Sequence, residues 1–559
     1  MPDHDAPPVL IVGGGPVGLM AGILLSQQGI ASRIVEQRRD PRPVPAAHVV
    51  NARTFEICRA AGVDMAALSR ASIPPSEGGE VHFMMRLAGA HLGSLPFERQ
   101  GDDCLDLTPT PLRNLAQHRF EPILLEALAR APLARIDFEH QLEACAADAD
   151  GVRASVRDLR TGTLHEQRSP WLIAADGAGS GIRRSLGIEM QGPARLQRFV
   201  MIHFAANLRP LLGDRLGALY WIFDPASGGA FVAHDLGAEW VYMLPRNDDD
   251  VPDPDEAACA EAVYRALGTR EVPIEMLNQS QWTMTAQIAD RMRAGRILLA
   301  GDAAHRFPPT GGLGLNSGIG DVHNLAWKIA AVERGAAREA LIDSYEAERR
   351  PVARFNADQS LRNAMRLVQI PKALGYPEGL DHDAIVARLA DPAVRSAVEG
   401  AIANQAEHFD LLGIQLGTVY EAGALVPDEK AAPMTHDPVR EYVPTSRPGA
   451  RVPHAWVRSG GKRVSLLDLL DPTGFSLVTG PDAEAFAAAA GELGIRVLRP
   501  GADFDDAEGH WQRVCELEGD GAVLVRPDQH VAFRAATAPA DPADALRAAL
   551  ARILAGEDR

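Results

Sequence analysis

Residues 301–316 read GDAAHRFPPTGGLGLN and follow the apolar run Ile297-Leu298-Leu299-Ala300. An acid, a histidine, two prolines and four glycines share these sixteen positions. Prolines fix φ and remove a donor. Glycines accept positive φ and bring amide N–H groups close to a ligand. Such a loop is preset, and its main chain rather than its side chains faces a flat or anionic partner. An ordinary Gly/Pro turn after a strand has the same composition, so the neighbouring chemistry has to decide. Three further groups bear on it: an acid downstream of a glycine cluster at Glu36, an Asp-Gly pair at Asp176-Gly177, and His48, five residues before Arg53.

The elements that must position these groups begin with VLIVGGGPVGLMAGILLSQQGIASRIVE, from Val9. Its pattern predicts a buried strand from Val9 to Val12, a tight turn at Gly13-x-Gly15-x-x-Gly18, and an apolar helix from Pro16 ended by Gly29. A second strand at 33–35 leads into Glu36. The glycines let the backbone approach a pyrophosphate at the helix N-terminus, where amides and the dipole favour anions. Glu36, about twenty residues on, can accept from a ribose hydroxyl. Gly13, Gly15, Pro16, Val17, Gly18, Glu36 and Gln37 are therefore the expected dinucleotide site. The acid suits NAD and the adenosine half of FAD equally and disfavours a 2′-phosphate. Trp171 to Asp176-Gly177 reads as another strand, running into a turn and a basic helix start at Arg183-Arg184.

The 559 residues are 23% charged and 46% hydrophobic, ordinary for a globular chain of two or three domains. A net charge of −18 argues against nucleic acid and against an anionic membrane surface as partners. Five cysteines without a CxxC predict a reducing compartment, and the absence of HExxH or clustered ligands predicts no metal. The N-terminal MPDHDAPP has no basic leader and no apolar run approaches ~18 residues, so a cytoplasmic protein is expected.

In this order and spacing, the three motifs resemble those of the class A flavoprotein aromatic hydroxylases, nearest the phenol/chlorophenol hydroxylase branch, over essentially the whole chain. The resemblance implies an α/β fold with a Rossmann-like FAD-binding domain over residues 1–185 and 283–365. An antiparallel-sheet substrate domain over 186–282, a helical connection over 366–440 and a thioredoxin-like C-terminal domain over 441–559 complete it. FAD and NAD(P)H are the implied cofactors. Asp302 then holds the ribityl chain, Pro308-Pro309 lie against the isoalloxazine, and the amides of Gly312, Gly314, Leu315 and Asn316 face the flavin pyrimidine ring. Asp176 supports both FAD and the nicotinamide donor, Arg53 lies near the flavin, and Gln117 contacts FAD. Gly179 stands where the family commonly has Asn. The C-terminal order is read as strand 475–479, helix 483–493, strand 496–498, hairpin 523–526 with 531–534, and helix 543–554. A working thioredoxin needs a CxxC; only Cys515 is present, so this domain reads as structural or dimer-forming, leaving a homodimer open.

Within 186–282, the segments 217–223, 230–234 and 239–244 read as sheet strands. One face is expected to roof the flavin, with His203, Tyr220, Trp221 and His234 as candidates to touch substrate; plain sheet core is the alternative. The resemblance implies a flavin C4a-hydroperoxide, formed with O2, that hydroxylates a small phenolic or polycyclic aromatic substrate beside its ring OH. His48 aligns with an acidic residue that contacts the phenol OH in related hydroxylases, and a pKa near 6.5 suits that task. A loop histidine satisfied by a backbone carbonyl is the alternative. A Baeyer–Villiger or epoxidising enzyme on the same scaffold would share every motif. A flavin halogenase would carry Trp-x-Trp-x-Ile-Pro, which Trp221-Ile222-Phe223 does not match. A non-catalytic flavin-binding interaction protein is the remaining reading.

Overall fold

The computed structural model describes residues 8–246, 254–428, 434–506 and 509–555. Val9–Val12 is apolar throughout because it is covered on both faces, as a central parallel strand must be. It pairs in parallel with Ser32–Glu36 on one side and Leu172–Ala174 on the other. Leu172–Ala174 pairs in parallel with Ile297–Leu299, and Ser32–Glu36 with Ala134–Phe138. The hairpin strand Arg293–Ala294 closes the far edge of this six-stranded sheet. Helices Pro16–Gln27 and Leu313–Glu333 pack side by side over it. Because the strands run the same way, the turns that follow them, at Gly13, Glu36, Asp176 and Gly301-Asp302, collect along one edge. That is where ligands bind in open parallel sheets.

A seven-stranded sheet runs in the order Glu275–Met284, Gln197–Ala205, Glu239–Arg246, Gly229–Asp235, Leu219–Ile222, Glu80–Met84, His91–Pro96. This corrects the expected sheet in two respects. Its last two strands come from residues 80–96, within the stretch expected to belong to the cofactor domain. Leu219–Ile222 also pairs with Glu80–Met84 in parallel, so the sheet is mixed rather than antiparallel. Both features rest on pairing between segments some 140 residues apart, which local alternation does not encode. Successive side chains point to opposite faces. Ile202, Phe204, Tyr220, Phe231, Trp240 and Tyr242 pack against helix Glu256–Leu267. Val81, Phe83, Leu219, Phe223, Val232 and Val241 form the other core, with Val49 and apolar residues from 370–409.

The C-terminal sheet has the order Arg496–Leu498, Ser476–Thr479, Ala522–Val525, Val531–Ala535. Its first pair is parallel and the other two antiparallel. Helix Glu484–Glu492 makes the crossover, and Pro542–Ala555 packs against it. This is a thioredoxin-like arrangement with elements within two residues of their expected bounds. A short helix at His510–Cys515 was not anticipated; its Cys515 is buried.

Buried charges dock this sheet on the cofactor-side helices. Arg451 forks onto both carboxylate oxygens of Glu56, and each side chain is 1% exposed. Arg526 pairs with Glu348 and Asp528, while Lys328 donates to Glu348 at 2.8 Å. Burial alone would raise the Glu56 carboxyl, but Arg451 and Arg53 hold it below the usual carboxylate range. Arg451→Ala should therefore leave an uncompensated buried anion and cost roughly 3–5 kcal/mol in denaturant unfolding, with Arg451→Met/Glu56→Gln recovering much of it. A loss below about 1 kcal/mol, as for a surface pair, would contradict this account.

Candidate cofactor and active site

The three motif glycines do different work. Gly13 has φ 109°, and a Cβ there would lie 2.2 Å from the Ala175 carbonyl oxygen; one on Gly18 would lie 1.9 Å from the Gly13 oxygen. These two allow strand, turn and helix to touch. A Cβ on Gly15 would meet nothing within 4 Å, so this position is bare toward the cleft, not toward the protein. Pro16 starts the helix where no donor is needed. Val17 packs against Gly301 and Gly318, bringing the third motif's loop against the first. Glu36 accepts from the Gly14 amide at 2.7 Å and from the Arg38 amide at 2.8 Å. Burial would raise its carboxyl, but donors from Arg38 and Gly14 outweigh that and keep it below the usual range, an ionised acceptor at the strand end. Gln37 beside it is exposed.

Asp176 receives the Ile182 amide at 3.3 Å on one oxygen, while its buried Oδ1 has no protein partner. Arg183 donates to the Ala303 and Ala178 carbonyls, tying the Asp-Gly turn to the Gly-Asp turn. Asp302 opens to solvent from the cleft side. Enclosure on its other sides raises its carboxyl, opposed by His305, Arg306 and Arg42. It is no helix cap: Gly312 is the N-cap of Leu313–Glu333 and no side chain caps that terminus. The loop is held from behind by Asp321, which accepts from the Gly301 amide at 3.1 Å, His305 at 2.6 Å and Arg349 at 2.9 Å. Asp321 was missed from the sequence, although an acid amid the small and apolar residues of GIGDVHNLAW is a signal for a buried anchor.

Gly312 takes φ 62° and crowds Val49, whose Cβ would lie 2.5 Å from a Cβ on the glycine. Asn316 spends its side chain on this seam. It donates to the Val49 and Gly312 carbonyls and accepts from the Asn51 amide and Thr54. Gly314 and Leu315 lie in the uncapped first turn, only partly buried, and Pro309 is exposed, its carbonyl accepting from the Gly312 amide. Gln117 brackets Ala47, donating its amide N–H to the Ala47 carbonyl and accepting the Ala47 amide on its side chain. Arg53 donates to Gln529 on the C-terminal hairpin at 2.7 Å and to the Asp528 carbonyl at 2.8 Å as well as to Glu56. Its guanidinium is thus an interdomain tie.

The Gly312–Val49 contact sets His48 beside the 311–316 loop. Asn114 commits its amide nitrogen to the Gly78 carbonyl, so its oxygen accepts from His48 Nδ1 at 3.3 Å and leaves Nε2 as an acceptor. Burial lowers the His48 pKa to about 4 against the Asn114 hydrogen bond, so the ring is neutral at pH 7. His48 lies 6.1 Å from the ring of His234 and 6.2 Å from Phe97. His203 and His234 share the sheet face that carries Val232 and Val241, and Trp221 lies with Leu219 on the same face. Tyr220 does not. One residue on, the pleat turns it into the opposite core, where it stacks on His82 and donates to the Arg215 carbonyl at 2.8 Å. Nearby Glu98, also unanticipated, is buried at φ 60° and accepts from the Leu411 amide and Gln415; burial pushes its carboxyl up to about 8.

Gly15→Val should fold with an unchanged apoprotein melting temperature yet retain no dinucleotide. Gly18→Val should fail to fold, because its clash is with backbone. Absorbance of the purified proteins and thermal melts check both, and a Gly15→Val protein that keeps its dinucleotide would contradict the assignment of the cleft.

Comparison with known proteins identifies the family. A family model described as an FAD binding domain matches residues 6–360, and one described as the C-terminal part of aromatic-ring hydroxylases matches 445–556. The chain is 33% identical to 2,4-dichlorophenol 6-monooxygenase of Cupriavidus pinatubonensis, covering 98% of this chain and 96% of that one. It is 34% identical to tetracenomycin A2 monooxygenase-dioxygenase of Streptomyces glaucescens, covering 98% and 97%. The solved structure of the flavin-dependent monooxygenase PieE with FAD and substrate superposes with a TM-score of 0.92 at 35% identity, covering 99% of each chain. The chain belongs to the FAD-binding aromatic-ring hydroxylases, a family of flavin-dependent monooxygenases.

Proposed function

We propose that this protein uses NAD(P)H and O2 to hydroxylate a phenolic aromatic, small or polycyclic, beside its ring hydroxyl. The observation that carries this reading is the placement of a neutral imidazole, His48, with Nε2 free to accept, one residue from the Val49–Gly312 contact. Bound FAD supplies the redox chemistry, exchanging electrons with NAD(P)H and O2. Gly15 and the helix N-terminus behind it would hold the pyrophosphate, Glu36 the ribose, and Asp176 and Asp302 the polyol side of the cleft. The uncapped amides of Gly314 and Leu315 would meet the ring edge. His48 accepts the phenol O–H and orients the ring, and the apolar residues around Phe97 exclude water. The domain division is read as 1–185 with 283–365, 186–282, 366–440 and 441–559, with residues 80–96 lent to the substrate sheet. The protein is read as cytoplasmic, its C-terminal domain as structural or dimer-forming. No helix among the described residues is long and apolar enough to cross a membrane.

A phenol panel assayed for substrate-stimulated NAD(P)H oxidation, with mass spectrometry for one added oxygen, tests the reading; product structure separates ring hydroxylation from lactone or epoxide formation. Asp302→Ala should weaken FAD binding by about 1.5–3 kcal/mol through loss of one charge-assisted hydrogen bond. Unchanged affinity on titrating FAD into the apoprotein would remove Asp302 from the site. Because the His48 pKa is depressed, its accepting form persists as pH falls and is lost only near pH 4. The wild-type kcat/KM should accordingly show no acid limb near 6.5, and His48→Ala should keep FAD but lose coupled turnover, regaining it at high pH where phenol ionises unaided. Wild-type coupling in His48→Ala across the pH range would refute the role.

A further inference from the structure

The turn of a hairpin usually stands in solvent. The C-terminal hairpin of Ala522–Val525 and Val531–Ala535 instead buries its polar tip, 526–530, against the rest of the molecule. Arg526 and Asp528 are each 1% exposed, and Gln529 holds φ 60° without being glycine. Two lines of contact leave this tip. On one, Gln529 and the Asp528 carbonyl accept from Arg53, on the helix whose N-cap, Asn51, donates its amide to Asn316. The other runs deeper. The His530 ring stacks on Tyr420 at 4.4 Å and 24°, and the Arg526 guanidinium lies 5.4 Å from the centre of the same Tyr420 ring. Tyr420 Oη accepts from Arg349 Nη1 at 3.3 Å. Arg349 donates through Nε to Asp321 at 2.9 Å and through Nη2 to the Ser317 carbonyl. Asp321 in turn accepts from the Gly301 amide and from His305. A Cβ on Gly320 would lie 2.9 Å from Arg349 Nη2, so the glycine makes room for the guanidinium. The four side chains from His530 to Asp321 are all buried.

We infer that the hairpin tip of the C-terminal domain positions the Gly301-Asp302 turn through Tyr420, Arg349 and Asp321, so that tip docking and FAD binding strengthen each other. This rests on the placement of that turn at the cofactor, proposed above, and gives the C-terminal domain a task beyond support or dimer formation. In a low-dielectric interior each polar member must keep its partner. Asp321 divides its two oxygens between the turn and Arg349, so a guanidinium that moves carries the turn with it. Arg349 is 6% exposed and has no water to replace a lost partner. Tyr420 is the group that meets it from the C-terminal side, and Tyr420 is itself set by His530 and Arg526. An undocked tip therefore loosens the turn. A turn held by bound FAD favours the docked tip, because coupling between two sites is reciprocal. Tyr420 and His530 are positioning residues that act through Asp321 and the Gly301 amide.

Amide hydrogen exchange read by mass spectrometry, on the full-length apoprotein with and without added FAD, measures the coupling. In the wild type, FAD should slow exchange in peptides covering 522–535 at least about fivefold, and more than in helix Glu484–Glu492 of the same domain. Tyr420→Phe keeps a ring against His530 and removes only the hydroxyl that meets Arg349. It should abolish that slowing and raise the FAD Kd at least about fivefold, while the apoprotein melts within about 2 °C of wild type. Arg59→Met breaks an exposed pair with Asp468 that joins the same two domains, and should leave both the Kd and the exchange response unchanged. Exchange at 522–535 that ignores FAD or merely matches helix Glu484–Glu492 would overturn the coupling. So would a wild-type Kd in Tyr420→Phe, whatever its melting temperature, or an equal loss in Arg59→Met. Should Tyr420→Phe not fold, the wild-type exchange measurement decides alone. If Asp302→Ala leaves FAD affinity unchanged, the placement of the turn fails and the coupling with it. Weakened binding in Asp302→Ala with no response at 522–535 removes the coupling alone.

Discussion

Helix Leu313–Glu333 is buried along most of its length and still carries Asn316, Ser317, Asp321, Asn324 and Lys328 among its buried residues. Polar groups in a low-dielectric interior must be paired, and the way these are paired organises the molecule. Asn316 fixes the segment 49–54, and with it the position of His48. Asp321 fixes the Gly301 turn and, through Arg349, the helix Asp343–Arg366. Lys328 and Asn324 meet Glu348, which also receives Arg526 from the C-terminal hairpin. One helix therefore presents its uncapped N-terminus to the cleft while its flanks hold segment 49–54, the Gly301 turn and helix Asp343–Arg366.

Such pairing is specific because breaking it is expensive. An isolated surface pair contributes little. A buried partner left alone costs several kcal/mol. The clusters at Asp321, Glu348 and Glu56 each balance carboxylate against cation within the interior. The C-terminal domain reaches two of these clusters, through Arg526 at Glu348 and Arg451 at Glu56. A thioredoxin-like sheet without a CxxC thus has a structural use: its cations neutralise acids on elements that border the site.

The seven-stranded sheet divides its side chains by the strand's two-residue period. One face is aromatic and aliphatic against helix Glu256–Leu267. The other brings imidazoles, a carboxylate and Trp221 toward His48. That face is polar at one end, along His48, His234 and Glu239, and aromatic at the other, where Phe83 and Phe97 each meet Phe409 edge to face.

The sequence by itself determined the parts built from neighbours in the chain. The Gly13–Gly18 turn, Glu36, the Asp176 and Asp302 turns and the C-terminal strand–helix order were legible because strand, turn and helix signals act over a few residues. Periodicity also placed the strands read at 217–223, 230–234 and 239–244. Tertiary structure alone decided which face each residue joined: it sent Tyr220 into the far core, turned Arg53 to the C-terminal hairpin, and lent residues 80–96 to the substrate sheet. It also revealed Glu98 and the meeting of His48 with His234. These depend on strand register and on pairing across hundreds of residues. A pleat slip of one position reverses a side chain's surroundings without changing any local signal, so no spacing in the chain could have announced them.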